Sequence, residues 1–163
     1  MTRATYLLAL GANRWGRHGS PDRAVRAALA MVGGVAAASP VIGSAPLGPS
    51  TRRFANAVAV IESDESPPVL LARLKAIERA FGRRRGRRWG ARAIDLDIVL
   101  WSGGRWRSRG LSVPHVAFRE RTFVLAPALR VASRWRDPVT GLTLAQLAHR
   151  LTAPVPLPRA RDG

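Results

Sequence analysis

Residues 94–100, Ile-Asp-Leu-Asp-Ile-Val-Leu, begin as a strict alternation of apolar and acidic side chains. Side chains alternate faces along a strand, so this period of two predicts a strand with one buried face. Ile94, Leu96, Ile98 and Leu100 are expected to point into a core, and Asp95 and Asp97 to point together the other way. Such a strand cannot stand alone. It needs neighbouring strands for its backbone groups and a covering layer for its apolar face.

The preceding chain supplies both. Ala4–Leu10 is a short apolar run that reads as a buried strand, ended by the turn signal Gly11-Ala12-Asn13. The Gly11 to Gly16 spacing resembles the start of a phosphate-binding P-loop, but Arg17-His18 stand where Lys and Ser/Thr are needed, which excludes it. Ser20-Pro21-Asp22 opens a helix with an N-cap, a proline at the first position and an acid in the first turn. Val25, Ala28, Leu29 and Val32 are its apolar stripe, and Gly33-Gly34 end it. Val35–Ser44 reads as a strand, Ala45–Arg53 as a Pro/Gly loop, and Phe54–Ile61 as a strand with Asn56 on the face of Phe54 and Val58. Ser66-Pro67-Pro68 opens a second helix whose stripe is Leu70, Leu74, Ile77 and Phe81, with Glu78 on its flank and Gly82 at its end.

After the acidic strand, Gly103-Gly104 predicts a hairpin turn with a short return strand over 105–107. Residues 119–129 read as a helix broken near Pro127, Asp137-Pro138 with Gly141 as a turn, and 143–151 as a short amphipathic helix. The order strand, helix, strand, strand, helix, strand predicts an α+β fold, a ferredoxin-like βαββαβ sandwich with C-terminal additions. Residues 1–153 are expected to form one domain and the Pro-rich residues 154–163 a loosely held tail.

Composition narrows the chemistry. The 163-residue chain has no cysteine, which excludes disulfides and thiolate metal sites, and three scattered histidines do not make a His-only metal site. The formal charge of +17 comes almost wholly from arginine, since Lys75 is the single lysine. That charge suits polyanionic partners, and equally fits the amino-acid bias of a GC-rich genome. No apolar run approaches the ~20 residues of a membrane span. The chain opens on a strand-like run rather than a leader pattern, so the expected location is the cytoplasm. No apolar surface stripe is left after the core is assigned, so the expected state is a monomer.

Asp95 and Asp97 lie roughly 7 Å apart along one strand face. They follow the densest basic run, with Arg83, Arg84, Arg85, Arg87 and Arg88 on a glycine-punctuated loop. Paired carboxylates beside guanidinium groups can hold Mg²⁺ and a polyphosphate together, because Mg²⁺ takes one or two carboxylates plus phosphate oxygens and arginine binds phosphate bidentately. The plain reading is a solvated sheet face. Asn56 is similarly open: its amide can read the edge of a heterocycle or bond nearby backbone.

The motifs then converge. Arg88-Trp89-Gly90-Ala91-Arg92-Ala93-Ile94-Asp95-Leu96-Asp97-Ile98 resembles the RWGPRTLDLDI signature of the 6-hydroxymethyl-7,8-dihydropterin pyrophosphokinase family. Leu10-Gly11-Ala12-Asn13 is similar to that family's LGSN opening, Ala45-Pro46-Leu47-Gly48-Pro49 to its PPLGP loop, and Phe54-Ala55-Asn56-Ala57 to its [YF]xNA strand. Ile77-Glu78, Gly82-Arg83, Val113-Pro114-His115, Arg121 and Phe123-Val124-Leu125 also match family elements in order. The resemblance implies transfer of diphosphate from MgATP to the hydroxymethyl oxygen of the pterin, with AMP released, in folate biosynthesis.

It also implies roles. Asp95 and Asp97 would bind two Mg²⁺ ions, and Arg83 and Arg92 would hold phosphates and stabilise developing charge. Arg85, Arg88, Ile98, His115 and Arg121 would line the ATP site, with Glu78 orienting the network near ATP. Phe54 and Phe123 would stack on the pterin, Asn56 would read its edge with Ser44, Pro46 and Leu47 nearby, and Trp89 would pack over its end. Ala91 and Ala93 stand for the signature's proline and threonine, Gly110 for an arginine near ATP (Arg109 lies beside it), and Lys75 for a polar residue near adenosine. Two other readings remain: a diverged, non-catalytic member of the family, and a nucleic-acid-binding module. The charge and five tryptophans motivate the second. Against it, the chain lacks an RNP-like aromatic motif, and Asp95 and Asp97 would repel a phosphate backbone.

Overall fold

Three of the helices begin at hydroxyl or proline start signals in the sequence. In the computed structural model, which describes residues 2–14, 18–44, 54–82 and 93–154, Ser20 Oγ accepts the Arg23 N–H at 3.3 Å and starts α1 (Pro21–Val32). Pro67 and Pro68 start α2 (Pro67–Ala80) after Ser66, their fixed φ suiting the first turn. Thr143 and Gln146 exchange side-chain and backbone hydrogen bonds at 3.1 and 2.9 Å, a reciprocal cap that starts α4 (Leu144–Thr152). Between them lie β1 (Ala4–Ala12), β2 (Val35–Ala38), β3 (Ile42–Ser44), β4 (Phe54–Ser63), β5 (Asp95–Trp101), β6 (Trp106–Ser108), β7 (Leu111–Val113) and α3 (Thr122–Ala132).

The main sheet runs β2-β4-β1-β5 with β3 also on β4, and every pair is antiparallel. With helices on each face it is an α+β architecture. Tyr6, Leu8 and Leu10 of β1 join Ala57, Ala59 and Ile61 of β4, the stripe of α1, and Leu70, Leu74 and Ile77 of α2 in one core. Leu7 and Val58 point to the opposite face and meet Leu125 and Ala128 of α3 and Leu144 and Leu147 of α4 in a second core. The C-terminal additions therefore close the sheet's second face, burying apolar side chains that would otherwise meet water.

Four sequence expectations change. Val35–Ser44 is two strands: Ser39 exchanges hydrogen bonds with Val58, and Pro40, which has no N–H to donate, interrupts the ladder before β3 resumes. Leu100 joins the second core, not the first. Leu8 pairs with Ile98 but Leu7 with Leu100, so Val99 is an extra residue that reverses the face of everything after it. The return strand pairs with β7 in a separate two-stranded sheet, not with β5. There the Trp101 ring lies where a Gly103 side chain would sit, and it meets Trp106 edge-on at 5.8 Å. Pro127 does not break α3; it is buried within it, at the cost of one helical hydrogen bond. The loop over 45–53 and residues 155–163 of the tail lie outside the described residues, as do the site residues Pro46, Leu47, Arg83, Arg85, Arg88, Trp89 and Arg92.

Away from the acidic strand, one buried ion pair locks the C-terminal layer. Asp137 is fully buried and takes Arg119 bidentately at 2.6 and 2.8 Å, the Val139 N–H at 3.0 Å and the Thr140 hydroxyl at 2.7 Å. Burial opposes its charge, but these four donors outweigh burial and hold the carboxyl down at about 2. The folded pKa lies below the unfolded one, so the stabilisation is complete above the ordinary carboxylate range and is lost as pH falls from near 4 towards 2. By linkage the loss is roughly 2 kcal/mol. Denaturant melts at pH 5 and pH 2 are expected to show this acid limb in the native chain and not in Asp137→Asn. At pH 7, Asp137→Ala is expected to cost about 3 kcal/mol, because Arg119 is left beside a buried void without its partner.

Candidate active site

The site is built on strand register. Asn56 of β4 pairs with Gly11 of β1, and Gly11 pairs in turn with Asp95 of β5. In the next row on the same face, Val58, Ala9 and Asp97 lie side by side. Cross-strand partners share a face, so Asp95 and Asp97 lie on the sheet face that carries α3. The smallest side chains in the sheet, at Ala9 and Gly11, form a floor between the Asn56 amide and the two carboxylates. A Cβ at Gly11 would stand 3.1 Å from Asn56 Oδ1 and 3.9 Å from the Phe54 ring, so glycine leaves that edge of the floor open. Asn56 is buried, Phe54 and Phe123 are half-buried, and the Asp97 side chain is 39% exposed. Ser44 closes β3 against Phe54 through its backbone.

Above the acids, the segment after β7 and the start of α3 bring in cationic and ring groups. The His115 N–H donates to the Val99 carbonyl at 3.0 Å, which ties this segment to β5. His115 Nδ1 accepts the Ala117 N–H at 3.1 Å, so the neutral ring carries its proton on Nε2, which faces Asp97 Oδ2 at 3.9 Å. Burial pushes the His115 pKa below its ordinary value; Asp97 pulls it up, and the Arg121 charge pushes it down again. The Arg121 guanidinium lies over the Phe123 ring at 5.6 Å.

Asp95 and Asp97 offer hard oxygen donors on one face, beside side chains too small to block approach. That donor set fits Mg²⁺, which completes its shell with water and phosphate oxygens. Among the described residues, no group of three or more His, Asp or Glu side chains could hold a metal unaided. Two carboxylates leave the remaining coordination positions of Mg²⁺ open to oxygens of an anionic ligand.

Residues 7–133 match the family described as 7,8-dihydro-6-hydroxymethylpterin-pyrophosphokinase. The chain belongs to this family. Proteins named 2-amino-4-hydroxy-6-hydroxymethyldihydropteridine pyrophosphokinase are similar to it in Synechocystis sp. (35% identical over 77% of this chain and 65% of that protein). The same name is carried by relatives in Haemophilus influenzae (44% identical, 55% of this chain and 57% of that protein) and Pseudomonas aeruginosa (43%, 63% and 64%). The chain thus spans between about half and two thirds of the length of these three relatives.

In this member of the pyrophosphokinase family, the structure brings together Phe54, Asn56, Asp95, Asp97, His115, Arg121 and Phe123 on one face of the sheet or directly over it. Ile98 differs: its side chain is buried in the first core, beneath the sheet from the acids. Glu78 is also buried, on α2. Two residues were not singled out from sequence as site residues. Gly11 is the open floor tile between Asn56 and Asp95, and Asn13 is a buried amide just past the end of β1. Both sit in the Leu-Gly-Ala-Asn segment, so that motif was the available signal.

The His115 geometry generates a test. In metal-free protein, His115 is expected to titrate below its ordinary value of 6.5, and Asp97→Asn should lower it further by removing a neighbour that favours its charge. Ring ¹⁵N NMR across pH 4–8 reads both; a midpoint above 6.5, or an upward shift in the variant, would contradict the burial argument.

Proposed function

We propose that this chain is an ATP-dependent diphosphotransferase of folate synthesis, acting on 6-hydroxymethyl-7,8-dihydropterin. The hydroxymethyl oxygen attacks the β-phosphorus of ATP. A new O–P bond forms, the bond from the β-phosphorus to the α,β-bridging oxygen breaks, AMP departs with that electron pair, and the hydroxyl proton is released. The observation that carries this reading is the row Asn56, Gly11, Asp95, with Asp97 beside it, in a chain of this family. It sets an amide for a heterocycle and a carboxylate pair for a metal-bound polyphosphate on the same floor.

The chain's own groups then have distinct tasks. Asp95 and Asp97 would hold Mg²⁺, assigned here as two ions, which supplies charge neutralisation on the phosphate oxygens when bound. Neutral His115 would donate from Nε2, and Arg121 would add positive charge, to oxygens lying above Asp97. Asn56 would read the pterin edge through its acceptor and two donors, and Phe54 and Phe123 would stack on its faces. Backbone groups around Ser44, Pro46 and Leu47 would complete that end, with Trp89 over it. Arg83 and Arg92 would stabilise the charge that develops on transfer, and Arg85 and Arg88 would bind phosphate or ribose, as the resemblance implies. Phosphoryl transfer asks mainly for positioning and charge stabilisation, which is what this set provides. The strand order also supports the ferredoxin-like plan as the parent architecture, with α3 and α4 added on the second face. Monomeric, cytoplasmic action without nucleic acid is part of the same proposal.

The decisive assay follows nucleotide products by chromatography. AMP, and not ADP, is expected from ATP only when both the pterin and Mg²⁺ are present, and EDTA should abolish it. Asp97→Ala is expected to fold normally and to lose about 10²–10³-fold or more in kcat, because the lost group acts on charge at the reacting phosphates. Turnover of that variant at the native rate would remove the metal assignment. Well-folded native protein that makes no AMP would remove the reaction itself.

A further inference from the structure

Glu78 occupies the last turn of α2 and is only 1% exposed, which is unusual for an acid on the flank of an amphipathic helix. The position is unfavourable twice over, since burial removes hydration and the helix C-terminus already carries partial negative charge. Two of its contacts show what is gained. Oε1 accepts the backbone N–H of Leu96 at 3.0 Å, and Oε2 faces Lys75 Nζ at 3.4 Å.

Leu96 is the residue between Asp95 and Asp97. It lies on β5, which among the described residues ends the main sheet and has β1 as its one ladder partner. The Leu96 N–H donates to Glu78 rather than into the β1 ladder, so a side-chain carboxylate does what a further strand would do. On the other side of Asp97, the Val99 carbonyl accepts the His115 N–H. The acid-bearing stretch is thus held along its outer edge at two points that bracket Asp97, one of them supplied by Glu78.

We propose that Glu78 is a positioning residue for the carboxylate pair. By fixing the Leu96 amide, it sets the backbone from which Asp95 and Asp97 project, and it acts on the metal through them. The role rests on the proposed diphosphotransferase reading and adds to it a group on the opposite face of the sheet from the acids. A hydrogen-bond acceptor is the requirement, so glutamine should serve and an apolar side chain of similar shape should not.

Native protein, Glu78→Gln and Glu78→Met are compared at a temperature where circular dichroism finds them folded. Two readouts avoid turnover. The first is hydrogen exchange of the Leu96 amide without metal. The second is the affinity for Mn²⁺, followed by electron paramagnetic resonance in the presence of the α,β-methylene analogue of ATP. Glu78→Gln is expected to keep slow Leu96 exchange and a Mn²⁺ affinity within about 3-fold of native. Glu78→Met should exchange that amide at least about 10-fold faster and bind Mn²⁺ about 10-fold more weakly, the range typical when a group supporting a metal ligand is lost. A Met variant with native Mn²⁺ affinity overturns the proposal, as does a Gln variant as impaired as Met. If the Met protein does not fold, the Gln protein decides: retention of both properties supports the role, and loss of either overturns it. Native protein that binds Mn²⁺ but makes no AMP defeats the reaction and leaves Glu78 still decided by these readouts.

Discussion

β1 is hydrogen-bonded on both sides, and the registers of its two ladders determine what the candidate site contains. With β4 the register sets Gly11 against Asn56; with β5 it sets Gly11 against Asp95. The two alignments are independent, yet they must agree for an amide and a carboxylate pair to face each other across a floor without side chains. A slip of one residue in either ladder would send Asn56 or the acids into the first core. The cores prevent this. Leu8 and Leu10 on one face and Leu7 on the other are fully or almost fully buried, so a slipped β1 would place apolar groups in water and polar groups among the helices.

The second face shows a division of labour along the sheet. Towards the C-terminal end of β5, Val99 and Leu100 meet Phe118, Leu125 and Leu147, and the face is packed. Towards its N-terminal end the same face carries Asp97 and Asp95. The transition occurs within one strand. Helix α3 spans the boundary, with Val124, Leu125 and Ala128 buried while Arg121 and Phe123, at its start, stay partly exposed near the acids. The Arg119–Asp137 pair anchors the segment just before this start to the turn that precedes α4. The cationic groups over the site are therefore held by a scaffold that lies outside it.

Much of this was legible in the residues. Alternation placed Asp95 and Asp97 on one face of β5, and Asn56 on the face of Val58 in β4. The start signals at Ser20-Pro21 and Ser66-Pro67 located two helices, and amphipathic spacing over 143–151 located a third. What was not legible depends on tertiary contact. A bulge such as the one at Val99 leaves no mark in a run of apolar residues, since Val99 and Leu100 read as ordinary strand. Pro127 is tolerated because packing of the residues around it carries α3, which propensity alone does not register. The return strand takes its partner from further along the chain, since β6 pairs with β7 rather than with β5, and the turn signal at Gly103-Gly104 does not report that choice. Glu78 read as a flank acid because helical periodicity reports which side of a helix faces the core. It does not report that the edge of a strand will pass within reach of a carboxylate.

The outer edge of β5 has one more consequence. A terminal strand with free N–H and C=O groups invites another chain to add to the sheet, the first step of edge-to-edge aggregation. β5 is rich in apolar residues and would be well suited to such templating. Its Leu96 donor is already taken by Glu78, and its Val99 acceptor by the backbone of His115. The contacts that orient the acids also deny a foreign strand the regular row of partners it would need. In this fold, the same atoms that occupy the sheet edge also hold the backbone from which the acids project.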